Sequence, residues 1–264
     1  MTIGGGRVRA GIRATLLLGR REIRSTVRAP EVFVPNLLIP VAWFFIMTAS
    51  LDTVASHGGL TDWAGFQLPV AVVFATMSGS AGLNLATDIE RGYFDKLLLT
   101  PVSRVAILVG AMAGDLLRIV AQAALVMGLA MASGVDVATG APGAAVIVGV
   151  AVLWGTAFSA IGFAVAIRTG SPQAMQAVWA LFVPLLFMTT TFAPLHAMAD
   201  WLRIAATLNP VTYILDGMRA LTVTGWELDR LTAALLTTGA VGAATLGPGT
   251  GERWCRPDPR VLPP

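Results

Sequence analysis

Asp88-Ile89-Glu90-Arg91-Gly92-Tyr93-Phe94-Asp95-Lys96-Leu97-Leu98-Leu99-Thr100-Pro101-Val102-Ser103-Arg104 is a charged island between two long apolar runs. Its ionic side chains, Asp88, Glu90, Arg91, Asp95, Lys96 and Arg104, need water. The flanking runs, Phe66 to Ala86 and Val105 to Ser133, are each long enough to cross a bilayer, because a spanning helix takes about 20 mostly apolar residues. The island is therefore expected to be an aqueous connection between two spans.

Outward from it lie further apolar runs at Val32 to Leu51, Gly143 to Ile167, Ala174 to Ala193 and Leu231 to Leu246, so the expected fold is an all-α membrane protein of six transmembrane helices. Composition agrees: 55% of the 264 residues are hydrophobic and 12% charged, against roughly 25% charged in a soluble domain. The runs are apolar on every side, whereas barrel strands alternate apolar and polar residues over about ten positions. Backbone groups in lipid must be paired within the segment, which leaves helices. A basic stretch of about thirty residues precedes the first run with no small-residue cleavage site close behind it, so that run is expected to be a retained span and not a cleaved leader. A single cysteine, Cys255, permits no internal disulfide.

Orientation follows from Lys and Arg, which accumulate in short cytoplasmic loops. Arg7, Arg9, Arg13, Arg20, Arg21, Arg24, Arg28, Arg91, Lys96, Arg104, Arg168, Arg253, Arg256 and Arg260 all fall on one face of a six-span arrangement, and only Arg203, Arg219 and Arg230 on the other. Both termini are expected in the cytoplasm. Orientation and attraction to anionic lipid account for the net charge of +3, so no nucleic-acid partner is implied.

Five regions result. Residues 1–31 place Ile12, Leu16, Ile23 and Val27 among arginines at near-helical spacing, as in an amphipathic cytoplasmic interface helix. Residues 32–246 hold the six spans, with the island at 87–104. Residues 194–230 form an outer segment too apolar for a free loop, carrying Trp201, Ile204, Leu208, Tyr213 and Trp226; Asn209-Pro210 divides it, and short re-entrant helices are expected. Residues 247–264, rich in Gly and Pro, are expected to be a disordered cytoplasmic tail.

The only lysine, Lys96, stands between Asp95 and Leu97, which rules out the Gly-Lys-Ser/Thr signature of a nucleotide-binding loop on this chain. If ATP drives the protein, another chain binds it. His57 and His196, the only histidines, are both expected in or beside outer loops, so neither a metal cluster nor a catalytic triad is visible. Asp115 and Arg118 sit inside the third span on adjoining parts of one helical face. Charges there are costly and often functional; mutual neutralisation is the alternative reading.

Glu90-Arg91-Gly92, Asp95-Lys96-Leu97-Leu98 and Thr100-Pro101-Val102-Ser103-Arg104 together resemble the cytoplasmic loop of ABC type-2 permeases, the membrane subunits of type V ABC exporters. Leu208-Asn209-Pro210-Val211-Thr212-Tyr213, continuing to Asp216-Gly217-Met218-Arg219, resembles the same family's motif before its last span, and the daunorubicin-type drug-resistance branch is the most similar. The resemblance implies a transport permease and not an enzyme, located in a bacterial inner membrane and paired with a second permease chain. ATP and Mg would be held by separate cytoplasmic subunits. It assigns ATPase coupling to Glu90, Arg91, Gly92, Asp95, Lys96, Pro101 and Arg104, and the outer helices to Asn209, Pro210 and Tyr213. It places a pathway along spans two and five, where Phe74, Met77, Asn84, Trp179, Phe182, Phe187 and Met188 offer an apolar, adaptable lining. One departure is the last span, which breaks at Gly247-Pro248-Gly249 where the family usually continues an apolar helix.

The expected cargo is a hydrophobic drug, secondary metabolite or lipid. Export of a lipid-linked glycan is the alternative within the same machinery, and an ion-coupled secondary transporter, using Asp115 as its intramembrane acid, is the alternative outside it.

Overall fold

The computed structural model describes residues 30–57, 62–77, 82–92 and 104–246. Among them every regular element is helical: α1 (Pro30–His57), α2 (Trp63–Met77), α3 (Leu83–Glu90), α4 (Arg104–Ala132), α5 (Gly140–Thr169), α6 (Pro172–Phe187), α7 (Asp200–Leu208), α8 (Pro210–Arg219) and α9 (Leu228–Leu246), with a 3-10 turn at Leu195–Ala197 and a π turn at Ala220–Thr224. Three stretches are long and apolar enough to cross a membrane, Val34–Thr53, Met112–Ala132 and Gly140–Thr169, and two shorter apolar helices, Trp63–Met77 and Pro172–Phe187, accompany them. The expected interface helix, most of the island and the tail lie outside the described residues.

Two expected spans end differently from the sequence reading. Phe66 to Ala86 is not one helix. Instead α2 closes at Met77, and α3 begins after Gly82, whose φ of 72° is left-handed backbone. At 1.5 Å per residue α2 is about 22 Å long, short of a hydrocarbon layer of about 30 Å. Ala174 to Ala193 likewise stops early, at Phe187. Three threonines follow, and the hydroxyls of Thr189 and Thr191 donate to Leu186 O at 2.6 and 3.0 Å. They satisfy an end carbonyl that a longer helix would have paired with its own backbone. The last span, conversely, begins a turn earlier than expected, at Leu228.

α5 is the axis of the bundle and packs against α2, α3, α4, α6 and α9. Its centre is Trp154, fully buried among Leu68, Val72, Ile147 and Ile214 of the same core cluster. One turn of α5 is close enough to both neighbours that only glycine fits: a Cβ on Gly155 would stand 2.9 Å from Ile119 Cγ2 of α4 and 2.9 Å from Thr76 Cβ of α2. Gly217 does the same between α8 and α9, where a Cβ would meet Ala234 Cβ at 2.7 Å and Arg230 O at 2.9 Å. A smaller cluster of Leu85, Ala86, Phe163, Ala166 and Met175 locks α3 against α5 and α6 at the end of the bundle that carries Arg168.

The opposite end is closed by the π turn. Pro69 has no N–H, so Gly65 O in α2 loses its helical donor; Thr222 Oγ1 donates to that oxygen at 2.9 Å. Ala138 N and Thr139 Oγ1 in turn donate to Thr222 O at 3.0 Å and Leu221 O at 2.8 Å, tying the turn to the start of α5. Removing the Thr222 hydroxyl should leave a buried carbonyl without a partner, so Thr222→Val is expected to cost about 1–3 kcal/mol. In a Pro69→Ala background the restored N–H should meet Gly65 O, and the same substitution should cost measurably less. Reversible unfolding in mixed micelles gives both values; equal costs in the two backgrounds would refute the pairing.

Candidate functional site

The segment between α6 and α9 supplies most of the buried polar contacts. Asn209 caps α8: its Oδ1 accepts from Val211 N at 3.0 Å, and Pro210 follows at the first helical position, where a missing N–H costs nothing. Its Nδ2 reaches the other way, donating to Leu185 O at 2.7 Å and Met188 O at 3.3 Å, and so pins α8 to the frayed end of α6. Tyr213 is half-exposed and donates to Thr207 O at 2.8 Å, bracing α8 on α7. The Asn-Pro-x-x-Tyr residues expected to shape this region therefore meet in one small structure. α7 presents Trp201, Ile204 and Leu208 to the outside as one apolar stripe.

At the other end of α8, Arg219 is 6% exposed. Its Nε donates to Phe66 O of α2 at 3.0 Å, Nη1 to Thr190 Oγ1 at 2.5 Å and Nη2 to Thr190 O at 2.7 Å, and the guanidinium lies 3.6 Å over the Phe66 ring. Asp216, one turn back, stands 3.5 Å from Nη1. Burial pushes the Asp216 carboxyl above its ordinary value, with Arg219 pulling it back down. Burial also lowers the Arg219 guanidinium to about 10, so it stays charged at neutral pH. Next to this cluster Gln67 Nε2 donates to Thr191 O at 3.1 Å. Arg219 stood in the motif quoted above, but spacing alone gave no sign that its partners would be backbone carbonyls more than a hundred residues away in the case of Phe66.

The intramembrane pair is present. Arg118 Nη2 lies 2.8 Å and Nε 3.0 Å from Asp115 Oδ1, both side chains being under a tenth exposed. Nη1 donates to Gln122 Oε1 at 2.7 Å, and Ser159 Oγ of α5 donates to Asp115 Oδ2. Gln122 and Ser159 had not been picked out from the sequence. Gln122 is one turn beyond Arg118, a signal that was available; Ser159 belongs to another helix, and no local pattern reveals it. The four residues form a polar patch between α4 and α5.

The residues expected along a pathway divide. Phe74 and Trp179 stack at 5.9 Å with 12° between the rings, Phe182 meets Phe158 edge-on at 4.3 Å, and Phe187 stacks on Trp43 at 5.6 Å. Trp43 of α1, missed in the sequence, also contacts Phe74 and Phe192 and is the hub of an aromatic cluster joining α1, α2 and α6. Its indole Nε1 is buried with no hydrogen-bond partner among the described residues. Met77 is buried in the core, Met188 is part-buried beside the end of α6, and Asn84 is exposed on α3, away from the aromatic cluster. In the coupling region, Glu90 and Arg91 are exposed at the end of α3 and Gly92 turns the chain with φ of 66°. Arg104 opens α4. Asp95, Lys96 and Pro101 lie outside the described residues.

A family model described as ABC-2 type transporter matches residues 13–223. The chain is 27% identical over 213 residues to a daunorubicin resistance ABC transporter permease protein of Streptomyces coeruleorubidus, covering 80% of this chain and 75% of that protein. It is 26% identical over 218 residues to a putative transport permease of Cyanophora paradoxa, covering 80% and 74%. With a probable doxorubicin resistance ABC transporter permease protein of Mycobacterium tuberculosis it shares 21% identity over 231 residues, covering 86% and 83%. No solved structure matches.

The polar patch between α4 and α5 makes a double-mutant forecast. Asp115→Leu strips the buried guanidinium of its carboxylate and should cost about 3–5 kcal/mol, whereas replacing both charges, Asp115→Leu with Arg118→Met, should cost far less. Unfolding midpoints of the two single variants and the double variant decide it; strict additivity would mean the pair is not coupled.

Proposed function

The chain belongs to the ABC-2 type transporter family, and from that premise we propose that it is the membrane-spanning permease of an ATP-driven exporter that moves a hydrophobic drug, secondary metabolite or lipid outward. The family match over residues 13–223 carries this reading. In this proposal the chain crosses a bacterial inner membrane six times, with α2 and α3 together as the second crossing and both termini in the cytoplasm. The end bearing Glu90, Arg91 and Arg168 then faces the cytoplasm, and the π turn, α7 and α8 face outward. Residues 1–31 lie along the inner surface and 247–264 form the tail.

Two such chains, or this chain and a relative, would pair over two cytoplasmic ATP-binding subunits that hold ATP and Mg. Glu90, Arg91 and Gly92, with Asp95, Lys96, Pro101 and Arg104, would transmit the ATPase motion. A charged, water-facing segment suits a protein partner because its arginines and acids can be matched across the contact. The aromatic cluster of Trp43, Phe74, Trp179 and Phe187 would flank the cargo. With only two tyrosines in the chain, few ring hydroxyls are available to a glycan, which supports an apolar, drug-like or lipid cargo. The exposed stripe of α7, Trp201, Ile204 and Leu208, would seat in the outer leaflet, with Trp201 at the interface. Asp115 supports this reading over an ion-coupled one, since Arg118 and Ser159 already occupy its oxygens.

The test is to tag the N-terminus, extract the chain in mild detergent and identify what co-purifies, beside an Arg91→Glu, Arg104→Glu variant. A soluble ATPase is expected with the native chain and at least tenfold less with the variant. Recovery of no ATPase with either would sink the exporter assignment.

A further inference from the structure

We propose that Arg219 is a latch that holds the outer ends of α2 and α6 together and lets go when the permease opens outward. This rests on the exporter reading for its direction, while the latch itself is a matter of geometry. α2 and α6, the two helices expected along the pathway, are joined in mid-bundle mainly by aromatic rings, Phe74 on Trp179. At the Thr222 end the guanidinium spans from Phe66 O on α2 to Thr190, just past the end of α6, at 2.5–3.0 Å, beside the Gln67 amide that donates to Thr191 O at 3.1 Å. Moving α2 away from α6 at that end must break those bonds.

A static pin would be expected to have no alternative partner. Arg219 has one. Beside it is a cavity of about 250 Å³, open on one side and lined by Phe66, Thr190, Asp216, Arg219, Thr224 and Arg230. The Asp216 side chain is 34% exposed and stands at 3.5 Å, longer than the guanidinium's hydrogen bonds to Phe66 O and Thr190. It accepts from Thr190 Oγ1 at 3.4 Å as well, a long bond, so it is loosely held in the closed arrangement and is the acceptor best placed to take the charge once the carbonyls are released. A buried guanidinium stripped of acceptors is costly; a hydrated cavity with a carboxylate at its edge removes that cost. The two positions give a bistable element of the kind on which switching depends. Arg219 is thus a positioning residue: it acts on the opening between helices without touching cargo.

The experiment measures distance directly and requires neither an ATPase nor a cargo, so failure of the exporter assignment leaves it readable. Spin labels go on Ala64→Cys, at the start of α2, and His196→Cys, past the end of α6, in a Cys255→Ser background. The labelled chain is diluted with unlabelled chain in lipid nanodiscs, so that only distances within one chain register. Native Arg219 should give one short distance. Arg219→Lys and Arg219→Met should add a longer population with helical content unchanged, since neither can span both carbonyls. Thr190→Val should add a smaller one, having lost the Nη1 acceptor and the long bond to Asp216 while the carbonyl of residue 190 still receives Nη2. Asp216→Asn should add none, because it removes the partner of the released state. Unchanged distances in the Arg219 variants would overturn the latch, as would lengthening in Asp216→Asn equal to that in Arg219→Met. Should the Arg219 variants fail to insert, an unchanged distance in Thr190→Val overturns it.

Discussion

A carbonyl that loses its helical donor where water is scarce has to be met by something else, and the residues between α6 and α9 are organised by that requirement. Gly65 O is orphaned by Pro69 and met by Thr222. Leu185, Leu186 and Met188 lie at the frayed end of α6, and their oxygens are met by Asn209, Thr189 and Thr191. Phe66 O and Thr190 O receive the Arg219 guanidinium. Each bond also fixes a helix in place, so the polar accounting and the tertiary arrangement at this end of the bundle are the same set of contacts. The apolar core further down has no comparable specificity; it is set by volume, as at Gly155, where three helices come within the reach of a single methyl group.

Buried charge is handled in two different ways. Asp115, Arg118, Gln122 and Ser159 form a patch whose charges neutralise each other, all four on α4 and α5. Arg219 instead takes most of its bonds from neutral oxygens on other segments, with its carboxylate held at a distance. The first arrangement ties α4 to α5 through Ser159 and Asp115. The second depends on three separate segments being in register at once, which makes it sensitive to their relative movement.

Much of this was legible in the sequence. Long apolar runs announced helices, the start of the charged island marked where α3 ends, and Asn209-Pro210 marked the split between α7 and α8, because each signal is local: hydrophobic length, ionic hydration, and a capping Asn followed by a proline at the first helical position. The errors came where a non-local bond overrode local apolarity. Phe192 and Ala193 are as apolar as the helix before them, yet the chain leaves the helix at Phe187 because Thr189 and Thr191 bond back to Leu186 and Asn209 reaches Leu185 from another segment. The break ahead of Leu83 was signalled only by glycine, which is common throughout this chain. Trp43 and Ser159 were missed for the same reason: what distinguishes them is who their neighbours are, and those neighbours are on other helices.

The π turn at Ala220–Thr224 closes on the bond from Gly225 N to Ala220 O, one residue wider than an α-helical turn. Such bulges correspond to a single extra residue accommodated inside a helix. A deletion that erased it would rotate the rest of the turn against α8 by about 100°, the angle per residue of an α-helix, before the chain leaves helical geometry at Gly225. Thr222 would swing off Gly65, and the bonds that tie Leu221 O and Thr222 O to the start of α5 would be lost with it. Length here is therefore under tighter constraint than side-chain identity, and divergence of this chain should proceed by replacement within these five positions, with insertions and deletions confined to stretches elsewhere.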